Sequence, residues 1–218
     1  MNNTPHTNCL TLRLLHAAKG YKAVAFDIFD TLLKRDCAHP ADLFALMEVT
    51  HQAALGFAEA RVAAEAETRQ TLGREVTLAE IYAHPALRGT DPAAECAAEL
   101  AMIAPNRPVA QAAEACHARG QKVYAVSDMY LPKTQIEAML QKCGLDFLDG
   151  VFVSCEYGVQ KRSGKLFKLF CSKLPCARRK SCLWGIPPRG FCRGSAGEYP
   201  LLFAAAANPA AIHQNPGG

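Results

Sequence analysis

No apolar run in the chain approaches the ~20 residues a membrane-spanning helix needs. The longest candidate, "LLFAAAANPAAI", is short and is interrupted by Asn208 and Pro209. The opening "MNNTPHTNCLTLRLLHAAKG" lacks a sustained apolar stretch, being broken by His16 and Lys19, and no small-residue cleavage site follows it. This reads as a cytoplasmic protein with no membrane association. None of the 10 cysteines forms a CxxC pair, so free thiols are expected. The late group Cys171, Cys176, Cys182 and Cys192 has intervals that fit no common zinc module. Basic residues are not interleaved with aromatics, which argues against nucleic-acid binding. The net charge of +4 does not change that reading. Seven of the 24 basic residues but only one of the 20 acidic ones lie beyond residue 165, so the preceding residues carry −2.

What the chain has in quantity is apolar residues, half of its 218, enough for a sizeable core. Three short apolar runs read as buried strands: "KAVAFDIF" at 22–29, "QKVYAVS" at 121–127 and "GVFVSC" at 150–155. The segment before the second, "VAQAAEACHARG", reads as a helix ended by Gly120. The segment between the last two, "LPKTQIEAMLQKCG", reads as a helix opened by a Thr134–Glu137 capping box and ended by Gly144. Strands alternating with helices predict an α/β fold with a Rossmann-like parallel sheet, in which ligands bind at the strands' carboxyl ends. The interval 38–104 contains no convincing strand. It reads as helices, "ADLFALMEVTHQAAL", "FAEARVAAEAETRQ", "TLAEIYA" with a Thr77–Glu80 box, and "PAAECAAELAMIA" opened by Asp91 and Pro92. The predicted organisation is a core of 1–37 and 105–182, a helical cap at 38–104, and a poorly ordered tail at 183–218.

The first strand carries Asp27 and Asp30 in "VAFDIFDTLL". Carboxylates at the end of a buried strand cost stability unless a turn, a metal or a chemical role occupies them. Ser127 ends the second strand with Asp128 after it, and "EYGVQKRSGKLF" follows the third with Lys161 and Lys165. On a parallel sheet, a carboxylate, a hydroxyl and an ammonium would converge. That set suits phosphoryl transfer, with Asp27 attacking phosphorus while Ser127 and Lys161 hold the oxygens.

"FDIFDTLL", "VSDMYLP" and "SCEYGVQKRSGKLF", in that order, resemble the haloacid dehalogenase (HAD) superfamily of hydrolases over roughly residues 20–170. They are similar to a bacterial branch of it, some of whose members accompany surface-polysaccharide glycosyltransferases. The resemblance implies a Rossmann-like fold with a helical cap after the first strand and Mg²⁺ bound by Asp27 and the backbone carbonyl of Phe29. It also implies that Thr31, Ser127, Asp128 and Lys161 hold the substrate, a small phosphorylated metabolite such as a sugar phosphate. The family's phosphatases carry a proton-donating Asp two residues after the nucleophile. Phe29 stands there in this chain, with Asp30 as the nearest substitute. Dehalogenase members have an aromatic at that place, so carbon–halogen hydrolysis is an alternative, since a halide needs no proton.

The family's fourth motif, an apolar strand ending in Gly-Asp, should follow "LFKLFCSKL". Residues 183–218 instead hold six Gly, five Pro and no Asp. The genetic code permits a frame shift here. Trp184, Gly185, Ile186 and Pro187, regrouped two bases later, can encode Gly, Asp and then Ser or Thr. A chain without that motif is expected to hydrolyse phosphate esters feebly, or to be a catalytically impaired domain that only binds.

Overall fold

The computed structural model describes residues 9–174 and the backbone of two further short strands, Cys182–Leu183 and Phe203–Ala204. Helix α1 (Cys9–Ala17) precedes β1 (Ala23–Phe26), whose four residues are all buried. Then come β2 (Leu33–Arg35), α2 (Asp42–Val49), α3 (Phe57–Leu72), α4 (Leu78–Tyr82), a 3₁₀ turn at Pro85–Leu87, α5 (Pro92–Met102) and β3 (Ile103–Pro105). The chain continues through α6 (Arg107–Ala118), β4 (Lys122–Ser127), α7 (Lys133–Lys142), β5 (Gly150–Val153) and α8 (Lys165–Lys173). Strand β6 is Cys182–Leu183 and β7 is Phe203–Ala204. None of the described helices is long and apolar enough to cross a membrane.

The main sheet is parallel in the order β5-β4-β1-β6, and β7 also pairs with β1. Phe26 lies opposite Ala125, and Ser127 opposite Val153, so β4 and β5 end level and β1 stops two residues short of them at the same edge. The period-two alternation of β1 divides the core. Val24 and Phe26 face a large cluster that includes Leu14, Val109, Ala113, Ile136 and Met139. Ala23 and Ala25 face the other side, with Tyr124 and Val126, against Leu166, Phe167 and Phe170 of α8. This is the α/β parallel-sheet architecture expected from the sequence.

After β1 the chain enters a helical interval, α2 to α5, bounded by β2 at one end and by β3 at the other, and α6 follows before β4. Strands β2 and β3 pair antiparallel, Leu33 with Pro105 and Arg35 with Ile103. A strand at 103–105 corrects the strand-free reading of 38–104. Three residues are too few to show a period of two, and the partner lies far away in sequence. The helix read at 41–55 stops at Val49, because His51 (φ 57°) and Gly56 (φ 88°) are left-handed. Helix α1 is not among the elements expected from the sequence. The box at Thr134–Glu137 does not form: α7 begins at Lys133, directly after Pro132, which puts Thr134 one position inside the helix.

The Thr77–Glu80 box does form. The Thr77 hydroxyl accepts from Glu80 N at 3.2 Å and the Glu80 carboxylate accepts from Thr77 N at 2.9 Å. Hydrogen bonds from Arg74, then from Thr77, hold the Glu80 carboxyl down at about 2. Thr77→Ala should cost about 1 kcal/mol of stability in urea unfolding. Because Glu80 titrates lower in the folded than in the unfolded chain, its contribution is complete above the ordinary carboxylate range. It is lost as pH falls towards about 2, which acid titration of Glu80→Gln beside the parent would show as a shallower decline.

Candidate active site

Asp27 follows the last residue of β1, where the chain leaves the buried sheet and turns. The turn is closed by Leu32 N donating to Asp27 O (3.3 Å) and by Thr31 N and Leu33 N donating to Ile28 O (3.3 and 2.9 Å). Asn106, just before α6, fastens it from the side through its side-chain amide to Thr31 O (2.7 Å) and its backbone N–H to Leu32 O (2.8 Å). Asp30 sits at the tip of this turn with φ 56°, a left-handed conformation that Asp tolerates better than most residues.

One Asp27 oxygen, Oδ1, accepts from Ile28 N at 2.8 Å. The other, Oδ2, lies 2.7 Å from Lys161 Nζ, with both side chains largely but not fully covered. Lys161 comes from the loop after β5, and its Nζ also donates to Val126 O of β4 at 3.4 Å. Asp128, the first residue after β4, receives Lys161 N on both carboxylate oxygens, at 2.8 and 3.0 Å. Burial pushes the Asp128 carboxyl up; the Lys161 N–H and charge oppose this, and the nearby Glu75 and Asp27 carboxylates reinforce it. Three strand ends thus deliver two carboxylates and an ammonium to one place.

Of the residues singled out from the sequence, Asp27, Asp128 and Lys161 are in direct contact. Ser127 ends β4 at the same sheet edge, nearly buried. Thr31 is buried within the turn. Asp30 is exposed and makes no hydrogen bond or ion pair with Asp27, Asp128 or Lys161 among the described residues. Lys165 is exposed at the start of α8. Phe29 is half-buried, and the Arg35 guanidinium stacks on its ring at 4.0 Å. Arg35 is in turn held in a two-point grip by Glu99 of α5, with Nε to Oε2 at 2.9 Å and Nη2 to Oε1 at 3.1 Å. Phe29 therefore joins the strand-end turn to the helical interval rather than offering a proton.

Sequence reasoning missed three contributors. Ser154 Oγ receives Met129 N (2.9 Å) and donates to Met129 O (3.3 Å), fixing the loop after β4. Glu75, nearly buried, pairs with Arg69 and comes from the α3–α4 connection, near enough to raise the Asp128 carboxyl. Asn106 had a local signal, since it precedes Arg107-Pro108 at a helix start. Glu75 had none, because its neighbour Asp128 is remote in sequence.

Among the described residues no group of three His, Cys, Asp or Glu side chains could hold a metal ion. The Asp27 carboxylate and the Phe29 carbonyl are hard oxygen donors of the right kind for Mg²⁺, but fall short of a protein-made octahedron. Whether the tail completes a metal site lies outside the described residues.

The model of the haloacid dehalogenase-like hydrolase family matches residues 21–183, and the chain belongs to that family. The match stops where the composition of the tail changes. A comparison with curated proteins gives no match. Among solved structures the chain is similar to the HAD-hydrolase YfnB from Bacillus subtilis bound to magnesium, at 18% identity and TM-score 0.48, over 72% of this chain and 75% of that one. It is also similar to the L-2-haloacid dehalogenase from Xanthobacter autotrophicus, at 19% identity and TM-score 0.45, over 70% and 64% of the two chains. Likenesses this distant carry no substrate across.

Proposed function

We propose that the chain hydrolyses small phosphorylated metabolites through an aspartyl-phosphate on Asp27. The observation that carries this reading is the Asp27–Lys161 pair at 2.7 Å, held at the carboxyl ends of parallel strands. An Asp27 oxygen forms the new bond to phosphorus as the bond to the leaving-group oxygen breaks. Water then attacks the phosphorus of the acyl phosphate, releasing inorganic phosphate and restoring the carboxylate. The Lys161 ammonium, already beside Asp27, offsets the repulsion between carboxylate and phosphate and follows the charge as it moves to the equatorial oxygens. Thr31 and Ser127, at the same edge, are the hydroxyls proposed to meet those oxygens. Mg²⁺ would be held by Asp27 and the Phe29 carbonyl with water completing its shell, and would add to the charge compensation Lys161 provides. Helices α2 to α5 are proposed to act as a cap that excludes water from the strand ends. A sugar phosphate is the substrate suggested by the sequence motifs. A cytoplasmic location is part of this proposal.

Phe29 shapes the expected rates. With a ring under Arg35 in place of a proton donor, esters whose leaving group departs as a stable anion should react fastest, and alkyl esters such as sugar phosphates should be slower by the about 10²–10⁴ that a missing general acid is worth. The same feature supports a second reading, hydrolysis of a carbon–halogen bond, in which Asp27 forms a carboxylic ester and halide leaves unprotonated.

The test is phosphate release from 2,4-dinitrophenyl phosphate and from phenyl phosphate, beside halide release from a 2-haloacid. Release of phosphate from the first ester, much slower release from the second, and an added mass of one phosphoryl group on Asp27 are expected. Halide release without phosphate release would move the assignment to the second reading, and inertness towards all three would leave a binding domain.

A further inference from the structure

Asp128 was expected to hold substrate, yet its carboxylate is turned to another task. Both oxygens accept the single backbone N–H of Lys161, at 2.8 and 3.0 Å. The same lysine's Nζ reaches Asp27 Oδ2 at 2.7 Å and Val126 O at 3.4 Å. Lys161 is therefore gripped at both ends, at its backbone by the residue following β4 and at its ammonium by the end of β1. Its own loop, 154–164, is held by no regular strand or long helix. A 3₁₀ turn occupies Ser154–Glu156, and α8 begins only at Lys165.

Asp128 is well placed to act as a fixed post. It follows directly on β4, the central strand between β1 and β5. The next residue, Met129, is clamped through both its N–H and its C=O by the buried Ser154 hydroxyl, at 2.9 and 3.3 Å. Two residues on, Leu131 O accepts from Cys155 Sγ at 3.3 Å. The loops after β4 and β5 are thus laced together, and the Asp128–Lys161 bonds are the lace nearest the reacting carboxylate. A long side chain such as lysine has many rotamers, so fixing its backbone reduces the space its ammonium samples.

We propose that Asp128 is a positioning residue that acts through Lys161, anchoring the lysine's backbone so that its ammonium meets the phosphoryl oxygens at Asp27. The inference rests on the phosphoryl-transfer reading of the site. It differs from that reading in giving Asp128 no contact with substrate.

A double-mutant cycle separates the two roles, because residues that act through one another are not additive. The cycle compares the parent with Asp128→Ala, Lys161→Met and the double variant, in kcat/KM for 2,4-dinitrophenyl phosphate and in Kd for inorganic phosphate by calorimetry. Lys161→Met should lower kcat/KM by about 10²–10³-fold, as the loss of one oxyanion partner does. Asp128→Ala should lower it by about 10–100-fold, the cost of a displacement on the order of 1 Å, with most of the loss in kcat. The double variant should be no worse than Lys161→Met alone. Asp128→Asn, whose carboxamide oxygen still accepts from Lys161 N, should recover at least part of the Asp128→Ala loss, and it serves as the folded comparison if the alanine variant is unstable. Losses that multiply in the double variant would place Asp128 on the substrate and overturn the proposal, as would an Asp128→Ala chain within about twofold of the parent. A parent that neither binds inorganic phosphate nor turns over the ester would overturn the hydrolase reading itself.

Discussion

Asp27→Asn is expected to bring phosphate release from 2,4-dinitrophenyl phosphate down to the uncatalysed level, while the chain unfolds at nearly the same urea concentration as its parent. The two halves of that expectation have different physical origins. The asparagine carboxamide retains the size and the acceptor that receives Ile28 N, but it cannot displace a leaving group from phosphorus. Removing a nucleophile of this kind costs on the order of 10³–10⁶ in rate. The ion pair with Lys161 is also lost, yet it joins partly exposed groups at the edge of the sheet, where such pairs contribute about 0–1 kcal/mol. A steady-state assay and a urea titration on the same preparation check both halves. A variant that kept more than about a tenth of the parent rate would remove Asp27 from the reaction. The mass of the chain after brief exposure to the ester should show a phosphoryl adduct in the parent and none in the variant.

Arg61→Met should have the largest effect on stability, a loss of about 3–5 kcal/mol, which is the cost of leaving one member of a buried ion pair alone. Arg61 and Glu95 are both fully covered and joined by two hydrogen bonds, Nε to Oε2 at 2.7 Å and Nη2 to Oε1 at 2.9 Å. Glu65 takes Nη1 at 3.0 Å, and the Tyr82 hydroxyl donates to Glu95 at 2.9 Å. The guanidinium also lies 4.8 Å from the Phe44 ring and 4.7 Å from that of Tyr130. Burial works against its charge, but the bonds to Glu95 and Glu65 keep it protonated. The methionine leaves the Glu95 carboxyl without its guanidinium partner in a buried pocket, with only the Tyr82 hydroxyl to satisfy it. The double variant Arg61→Met/Glu95→Leu removes the orphaned charge and should recover more than half of the loss in chemical unfolding. Equal losses in the single and double variants would mean that packing, not charge, sets the cost.

The sheet was legible because each strand is a compact apolar run between turn signals, and because β1, β4 and β5 alternate with helices read from periodicity and caps. The meeting of Asp27 with Lys161 was legible because a parallel sheet brings its strand ends to one edge, so position along the chain predicts proximity in space. What was not legible depends on contacts between distant segments. The pairing of β2 with β3 offers three residues and no repeat. The burial of Arg61 against Glu95 inverts the usual reading of "EARVAAEAE" as a solvated helix face. The role of Asp128 is a matter of which donor its oxygens find. Ser-Asp after a strand reads equally well as a turn, a phosphate binder or a backbone anchor, and only the geometry separates them.

The two-stranded ladder of β2 and β3 also bears on how the chain acquires this fold. β1 and β4 are partners separated by a long stretch of sequence, and bringing such ends together carries an entropic cost that grows with the length of the intervening loop. Pairing Leu33 with Pro105 and Arg35 with Ile103 short-circuits that stretch, leaving the six residues of the strand-end turn on one side and the sixteen that carry α6 on the other. Once the ladder closes, the helices between behave as an excursion off the main path, and β1 can find β4 as though they were near neighbours. Arg35 of β2 is also tied to Glu99 of α5, so closure of this loop rests on an ion pair beside the ladder as well as on the three-residue ribbon itself.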